Sequence, residues 1–224
     1  MTLVGQGLIA IWNDIEEAVR EEFYEWHERE HMPERVGIPG FLRGRRLIRV
    51  DAEVEYLTLY EAESADVLAG KDYLDRLNDP TDWTRRVVPG FQNVTRALTG
   101  IVRSEAIGNG GAVLALALTI PDAARDATRR RFGGDLFDEL GAAGGVCGVH
   151  YAETDVAASS VETVERQQRK TANAVPDAVL LLEASRPERL ERCRRLVDAA
   201  VDDCGVAYMR PPGTYRLEFE LLKA

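Results

Sequence analysis

Two of the three histidines in this 224-residue chain, His27 and His31, stand four positions apart in the segment EEFYEWHEREHMPERVGIPGFLRGRR, residues 21–46. On a helix that spacing puts both imidazoles on one face, close to the carboxylate of Glu30. The set can accept, donate or relay a proton near neutral pH. At about 100° per residue, Glu30 falls on the stripe formed by Ile15, Val19, Phe23 and Trp26, with His27 and His31 on its flank. A carboxylate on an apolar stripe must be paired, hydrogen-bonded or protonated. Glu30 therefore either pairs with an arginine of the run Arg43-Gly44-Arg45-Arg46 or acts as a cleft carboxylate that orients and tunes His31.

The same residues satisfy both H-E-x-x-H and H-x-x-E-H, patterns found on zinc-peptidase helices. Zinc needs a third protein ligand and a helix that continues through the site. Pro33 is expected to end the helix at once, and the third histidine, His150, reads as a strand residue far along the chain. The expectation is a site without metal. No phosphate-cradling glycine loop and no G-x-S-x-G elbow is present.

The elements that would position these residues follow from apolar runs and breakers. Gly7–Trp12 reads as a buried strand, and Asn13 or Asp14 as the cap of a helix running to His31 or Met32. Phe41–Val50 and Val54–Glu61 read as strands, a helical region begins at Ser64, and a last strand lies within Phe91–Ser104. After Gly108-Asn109-Gly110-Gly111 the order returns: strand Ala112–Ile120, helix Asp122–Leu140, strands Val146–Glu153 and Ala178–Ala184 joined by a longer polar insertion, helix Pro187–Val201, and strand Tyr208–Leu221. The fold class is α+β: two tandem ferredoxin-like βαββαβ units, 1–107 and 108–224, with their sheets face to face in an intramolecular barrel. That pairing leaves strand edges at which two copies could form a homodimer.

In the third strand Tyr56, Thr58 and Tyr60 share one face. Tyr60 reads as a core tyrosine with a satisfied hydroxyl or as a wall of the cleft. Trp83, with Arg85 and Arg86, reads as a lid over an aromatic or anionic ligand or as a solvated helix end.

Composition narrows the partners. The net charge is −10; residues 1–108 hold 13 Lys+Arg against 20 Asp+Glu, and residues 109–224 hold 15 against 18. Neither half supplies the basic field that nucleic acid requires. No apolar run approaches the roughly 20 residues that span a bilayer, and the opening MTLVGQGLIAIWNDIEE lacks the basic start of a secretory leader. Cys147, Cys193 and Cys204, an odd number without a CxxC pair, suit buried thiols in a cytoplasmic protein.

Trp26, Glu30-His31, Pro33-Glu34-Arg35, Pro39-Gly40-Phe41 and Arg45-Arg46 together resemble the signature of EthD-like proteins of the dimeric α+β barrel superfamily. The run YLDRLNDPTDWTRR at residues 73–86 looks like that family's second helical region. The resemblance covers residues 5–105, and beyond 110 it survives only as the order of elements. It implies a cleft between helices and sheet, lined by His31, for an apolar or aromatic metabolite. The family includes cofactor-free oxygenases, isomerase- or cyclase-like enzymes and haem-binding relatives. The expected function is metal-free acid/base or oxygen-using catalysis, or binding of a small molecule or haem in the same cleft without catalysis. No cofactor is assigned, and haem stays open. His31 would move the proton, Glu30 would orient it and His27 would assist, while Trp26, Tyr60, Trp83 and Arg46 would bind the ligand.

Overall fold

The structure, a computed structural model, describes residues 3–169 and 173–224. In the first half β1 (Gly7–Ile15) leads into one helical run made of α1 (Arg20–Trp26), a π turn (His27–His31) and α2 (Met32–Gly37). The hairpin β2 (Phe41–Asp51) and β3 (Tyr56–Ala62) follows, then α3 (Ala65–Leu68), α4 (Lys71–Asn78), α5 (Asp82–Val87) and β4 (Phe91–Ala106). The second half runs β5 (Ala112–Thr119), α6 (Arg125–Arg130), α7 (Leu136–Ala143), β6 (Gly148–Thr154), α8 (Val156–Ser159), α9 (Val164–Gln167), β7 (Ala178–Ala184), α10 (Glu191–Cys204), β8 (Ala207–Tyr208) and β9 (Gly213–Leu222). The single helix expected over Asp122–Leu140 is kinked at Gly134 (φ −128°, ψ −109°), and the expected last strand is split before Gly213.

The strands close into one eight-stranded antiparallel barrel in the order β7-β6-β4-β1-β3-β2-β9-β5, with β5 returning to β7 and the short β8 appended to β5. Closure comes from long strands that overhang their own half. β4 pairs β1 along its first part and β6 from Thr99 to Ala106, and β2 pairs both β3 and β9. The barrel expected from the sequence is present, and the two sheets that were to lie face to face are joined edge to edge into one continuous sheet through β4–β6 and β2–β9. The strand edges on which a homodimer was expected are consumed by that closure. Within each half the spatial order is the same, β4-β1-β3-β2 and β9-β5-β7-β6.

Strand alternation divides the interior from the helix face. Leu8, Ala10 and Trp12 of β1 join Leu57 and Leu59 of β3, Ala115 of β5 and Leu181 of β7 inside the barrel. Arg43 and Arg45 lie in phase with Leu47, so they too point inward. Arg43 donates to both oxygens of Glu61 (2.8 and 2.9 Å), and Arg45 bridges Glu61 (3.1 Å) and Glu183 (2.7 Å). These buried carboxylates are why neither arginine is available to Glu30. On the other face, Ile11 and Asn13 of β1 and Tyr56, Thr58 and Tyr60 of β3 point toward the helices of the first half.

Two local departures shape that face. The strand β1 runs past the expected cap, because Asp14 is engaged elsewhere: its carboxylate accepts from the Glu55 amide (2.7 Å) and the Asn93 side chain (2.7 Å). Pro33 does not end the helix. The wider π turn just before it, closed by Met32 N–H donating to the His27 carbonyl, lets the ring start α2 as a first-turn residue. Gly44 lets α2 lie close on β2, since a Cβ there would stand 2.9 Å from the Met32 Cγ and Sδ.

Candidate functional site

The helical run is the roof of the site, and the π turn decides what it points inward. A wider turn advances each residue by less than 100°, so the inward row leads from Phe23 and Trp26 to His27 and His31 and carries Glu30 to the flank. His27 is 3% exposed and His31 7%, whereas Glu30 is half-buried and accepts from the Thr81 hydroxyl at 2.5 Å. The assignment of Glu30 to the core-facing stripe is therefore corrected, as is its arginine partner, whose place is taken by the Thr81 hydroxyl.

Beneath the roof lies a small cavity. Asn13, Thr58, Tyr60 and Arg96 form its floor, Tyr73 of α4 one side, and Glu165 of α9 with Arg169 the other. Its free volume is about 20 Å³, room for one or two waters. The aromatic packing is ordered: the Trp26 and His31 rings lie 4.1 Å apart, His27 and His31 stack at 5.7 Å, and Tyr60 meets His31 edge-on at 6.5 Å. Trp26 is fixed by its indole N–H donating to the Thr84 hydroxyl at 3.2 Å.

Several buried polar atoms of this lining have no partner among the described residues: Asn13 Oδ1, His31 Nδ1, the Tyr60 hydroxyl and Arg169 Nε. Asn13 donates its amide to the Asp14 carbonyl (3.3 Å), which leaves Oδ1 as the inward acceptor. An unpaired buried polar group costs on the order of 1–3 kcal/mol, so a cluster of them around one space is a site prepared for a ligand or for water. The expectation of a satisfied Tyr60 hydroxyl is corrected accordingly.

Burial first, then the Arg35 guanidinium, holds the His31 imidazole well below its ordinary range, with His27 and Arg169 acting in the same direction. His27 is lowered in the same way by burial, then Arg46 and Arg35. Both rings are neutral at neutral pH and available as proton acceptors. Burial pushes the Tyr60 hydroxyl up, so it stays a donor.

Trp26, His27, His31 and Tyr60 are thus brought together as the sequence predicts, and three other candidates stand apart. Arg46 sits behind His27: its Nη1 is 3.4 Å from His27 Nδ1, while its other nitrogens bind Glu28 (2.6 Å) and Glu218 (2.9 Å). Trp83 packs against the cluster of Ile15, Phe23 and Trp26, because the Thr81 cap of α5 turns Thr84 toward the roof instead. Glu30 is the third, on the outer flank.

The sequence reading missed Asn13, Tyr73, Arg35, Arg96, Glu165 and Arg169. Arg35 stands four residues after His31, a spacing that could have flagged it. Nothing local marks Glu165 and Arg169. They belong to the polar insertion between β6 and β7, which crosses from the second half onto the first. It is held there by the Leu98 amide donating to Ser159 Oγ (2.9 Å), Asp155 N–H to the Leu98 carbonyl (2.9 Å) and Arg96 N–H to the Ala174 carbonyl (2.9 Å).

No family model matches the chain, and no curated protein matches it. Solved structures do. An anthrone oxidase-like protein superposes with a TM-score of 0.66 at 12% identity, covering 96% of this chain and 92% of that one. A candidate monooxygenase of Lactobacillus acidophilus NCFM gives 0.56 at 9% identity, covering 97% and 96%. Chlorite dismutase from Candidatus Nitrospira defluvii, in complex with imidazole, gives 0.56 at 8%, covering 96% and 92%. At these identities the likeness is one of fold, the dimeric α+β barrel.

Haem does not fit the residues present. Pockets for drug-sized ligands measure about 300–1,000 Å³, so the space beside His31, about 20 Å³, holds neither haem nor any aromatic ligand without movement of its walls. The helix-facing side of the second half is filled by Phe132, Leu136, Phe137 and Leu140. His150 lies inside the barrel, its Nδ1 2.8 Å from Ser104 Oγ and its Nε2 3.7 Å from Glu183.

Proposed function

We propose that the chain is an EthD-like small-molecule enzyme of two tandem ferredoxin-like units, 1–107 and 108–224, working in the cytoplasm on an apolar, aromatic substrate with dioxygen as oxidant. One observation carries the reading: a neutral His31 shares a buried cavity with Tyr60 and Asn13, and among the described residues its Nδ1, the Tyr60 hydroxyl and Asn13 Oδ1 have no partner. The anthrone oxidase-like and monooxygenase neighbours are consistent with it.

For a substrate whose methylene lies between two aromatic rings, His31 takes one methylene proton. The carbanion left behind transfers electrons to dioxygen and forms a C–O bond. Return of the proton from His31 gives a hydroperoxide, and loss of water from it gives the ketone. One dioxygen is consumed and one water formed, and the substrate supplies all the electrons. Tyr60 donates to developing negative charge, and the Trp26–His31 stack excludes water and fixes the imidazole. Admission of the substrate requires the wall at Glu165 and Arg169 to move outward.

The test is oxygen uptake with anthrone as probe. Wild type is expected to accelerate uptake above buffer with one dioxygen per anthrone, and His31→Ala to lose about 10²-fold or more of that rate. Equal rates in wild type, His31→Ala and buffer would sink the proposal.

A further inference from the structure

The charges around the cavity do not balance. Three arginines, Arg35, Arg96 and Arg169, line it together with one carboxylate, Glu165. Glu165 is shared: one oxygen takes Arg35 Nη2 and the other Arg169 Nη2 at 3.3 Å. The nearby Glu34 adds no net charge, because it pairs Arg76 (2.7 Å) as well as Arg35 (2.9 Å). Arg96 has no carboxylate partner among the described residues; its side chain donates to the Tyr73 hydroxyl at 2.9 Å. The Arg169 side chain is 7% exposed; its Nη1 donates to the Asn173 side chain at 3.2 Å, and its Nε–H has no partner among the described residues. Both histidines are neutral and contribute nothing to offset this excess.

Buried cations without counter-charges are costly, and a protein that keeps them in a cavity has them facing something negative. The remaining free groups define its shape. Tyr60 and Arg169 donate, whereas Asn13 Oδ1 accepts, which suits a ligand carrying an anionic oxygen on a body that also offers a proton. The aromatic side chains of Trp26, Tyr73 and Phe91 also line the cavity, and Arg96 and Arg169 lie over the rings of Tyr73 (5.9 Å) and Phe91 (5.6 Å), so an aromatic body bound there would share its surroundings with both guanidinium groups.

From this we propose that the cavity recognises an organic oxyanion, a carboxylate or a phenolate-type oxygen on a planar aromatic body, with Arg169 and Arg96 as its receptors. The inference deepens the preceding reading by naming the substrate's charge, because removal of a benzylic proton from a hydroxy- or keto-arene puts negative charge on such an oxygen. Arg169 carries its charge at a disadvantage: burial lowers its ionisation from the ordinary range more than Glu165 raises it. An arriving oxyanion relieves that.

The experiment is quenching of Trp26 fluorescence in a Trp12→Phe/Trp83→Phe background, with benzoate, 4-nitrophenolate at alkaline pH, and the neutral isostere benzamide. Wild type is expected to bind at least one of the two anions about tenfold or more tighter than benzamide, and whichever binds tighter identifies the oxyanion type. Arg169→Gln and Arg96→Gln are each expected to abolish that preference while keeping benzamide binding, and Arg169→Lys to restore part of it. Benzamide binding as tightly as both anions, neither anion binding saturably, or Arg169→Gln and Arg96→Gln both retaining the preference would each overturn the proposal. Oxygen uptake with anthrone and the anion-over-benzamide preference are separate readouts on the same wild-type protein, so failure of the catalytic reading and failure of this one give different results.

Discussion

Arg35 and Glu165, 130 positions apart in the chain, form the buried ion pair that ties the roof of the cavity to its wall. Their side chains are 3% and 5% exposed, so neither has water to fall back on. Glu165→Ala leaves Arg35 with Glu34 alone and Arg169 without a carboxylate among the described residues, a change expected to cost about 3–5 kcal/mol. At roughly 2–4 °C per kcal/mol for a chain of this size, thermal denaturation should show a marked fall in Tm.

Glu30→Gln should do little. Its carboxylate is half-buried and meets only the Thr81 hydroxyl, a bond that an amide oxygen can also accept. The expected change in unfolding free energy is within about 1 kcal/mol by urea titration. A loss of several kcal/mol would mean that this carboxylate faces the core after all.

Stability should fall on acidification in a way that depends on the cavity histidines. Free histidine ionises near about pH 6.5. In the folded chain His27 and His31 are held well below that, and His150 is lowered to about 4, in each case chiefly by burial. Below about pH 6.5 the unfolded chain therefore binds protons that the folded chain refuses. Stability is present in full above that pH and is lost as pH drops through it, by up to about 1.4 kcal/mol per pH unit for each histidine. Comparing urea midpoints of wild type and His31→Gln from neutral pH downward should show a shallower decline in the variant.

Arg45→Met tests the barrel interior apart from the cavity. It removes the partner of Glu183 and one partner of Glu61, and a loss of about 3–5 kcal/mol is expected. The double variant Arg45→Met/Glu183→Leu should recover part of that loss, because no carboxylate is then left unpaired at position 183. Neither change should alter ligand preference in the fluorescence assay.

The barrel was largely legible in the sequence because the apolar runs Gly7–Trp12 and Ala112–Ile120 and the alternation in Val54–Glu61 are local signals. His27 and His31 were legible from their helical spacing, and the cleft they share with Trp26 and Tyr60 from the resemblance of this segment to a known family. Glu30 misled because one π turn changes the angle per residue, and nothing in His27–His31 announces it. The proline that seemed to end the helix is accommodated by that same turn. Glu165 and Arg169 were invisible because their role depends on where a polar insertion comes to rest, which long-range pairing of Arg96, Leu98 and Ala174 decides.

The packing of Phe132, Leu136, Phe137 and Leu140 over the second half fixes a stoichiometry. Two halves of like strand order would offer two equivalent compartments, and here the counterpart of the His31 cavity is packed with side chains. Calorimetric titration of the His31 cavity should therefore saturate at one ligand per polypeptide. The filled half is free to drift in any residue that preserves its volume, whereas its insertion answers to a chemistry performed next door.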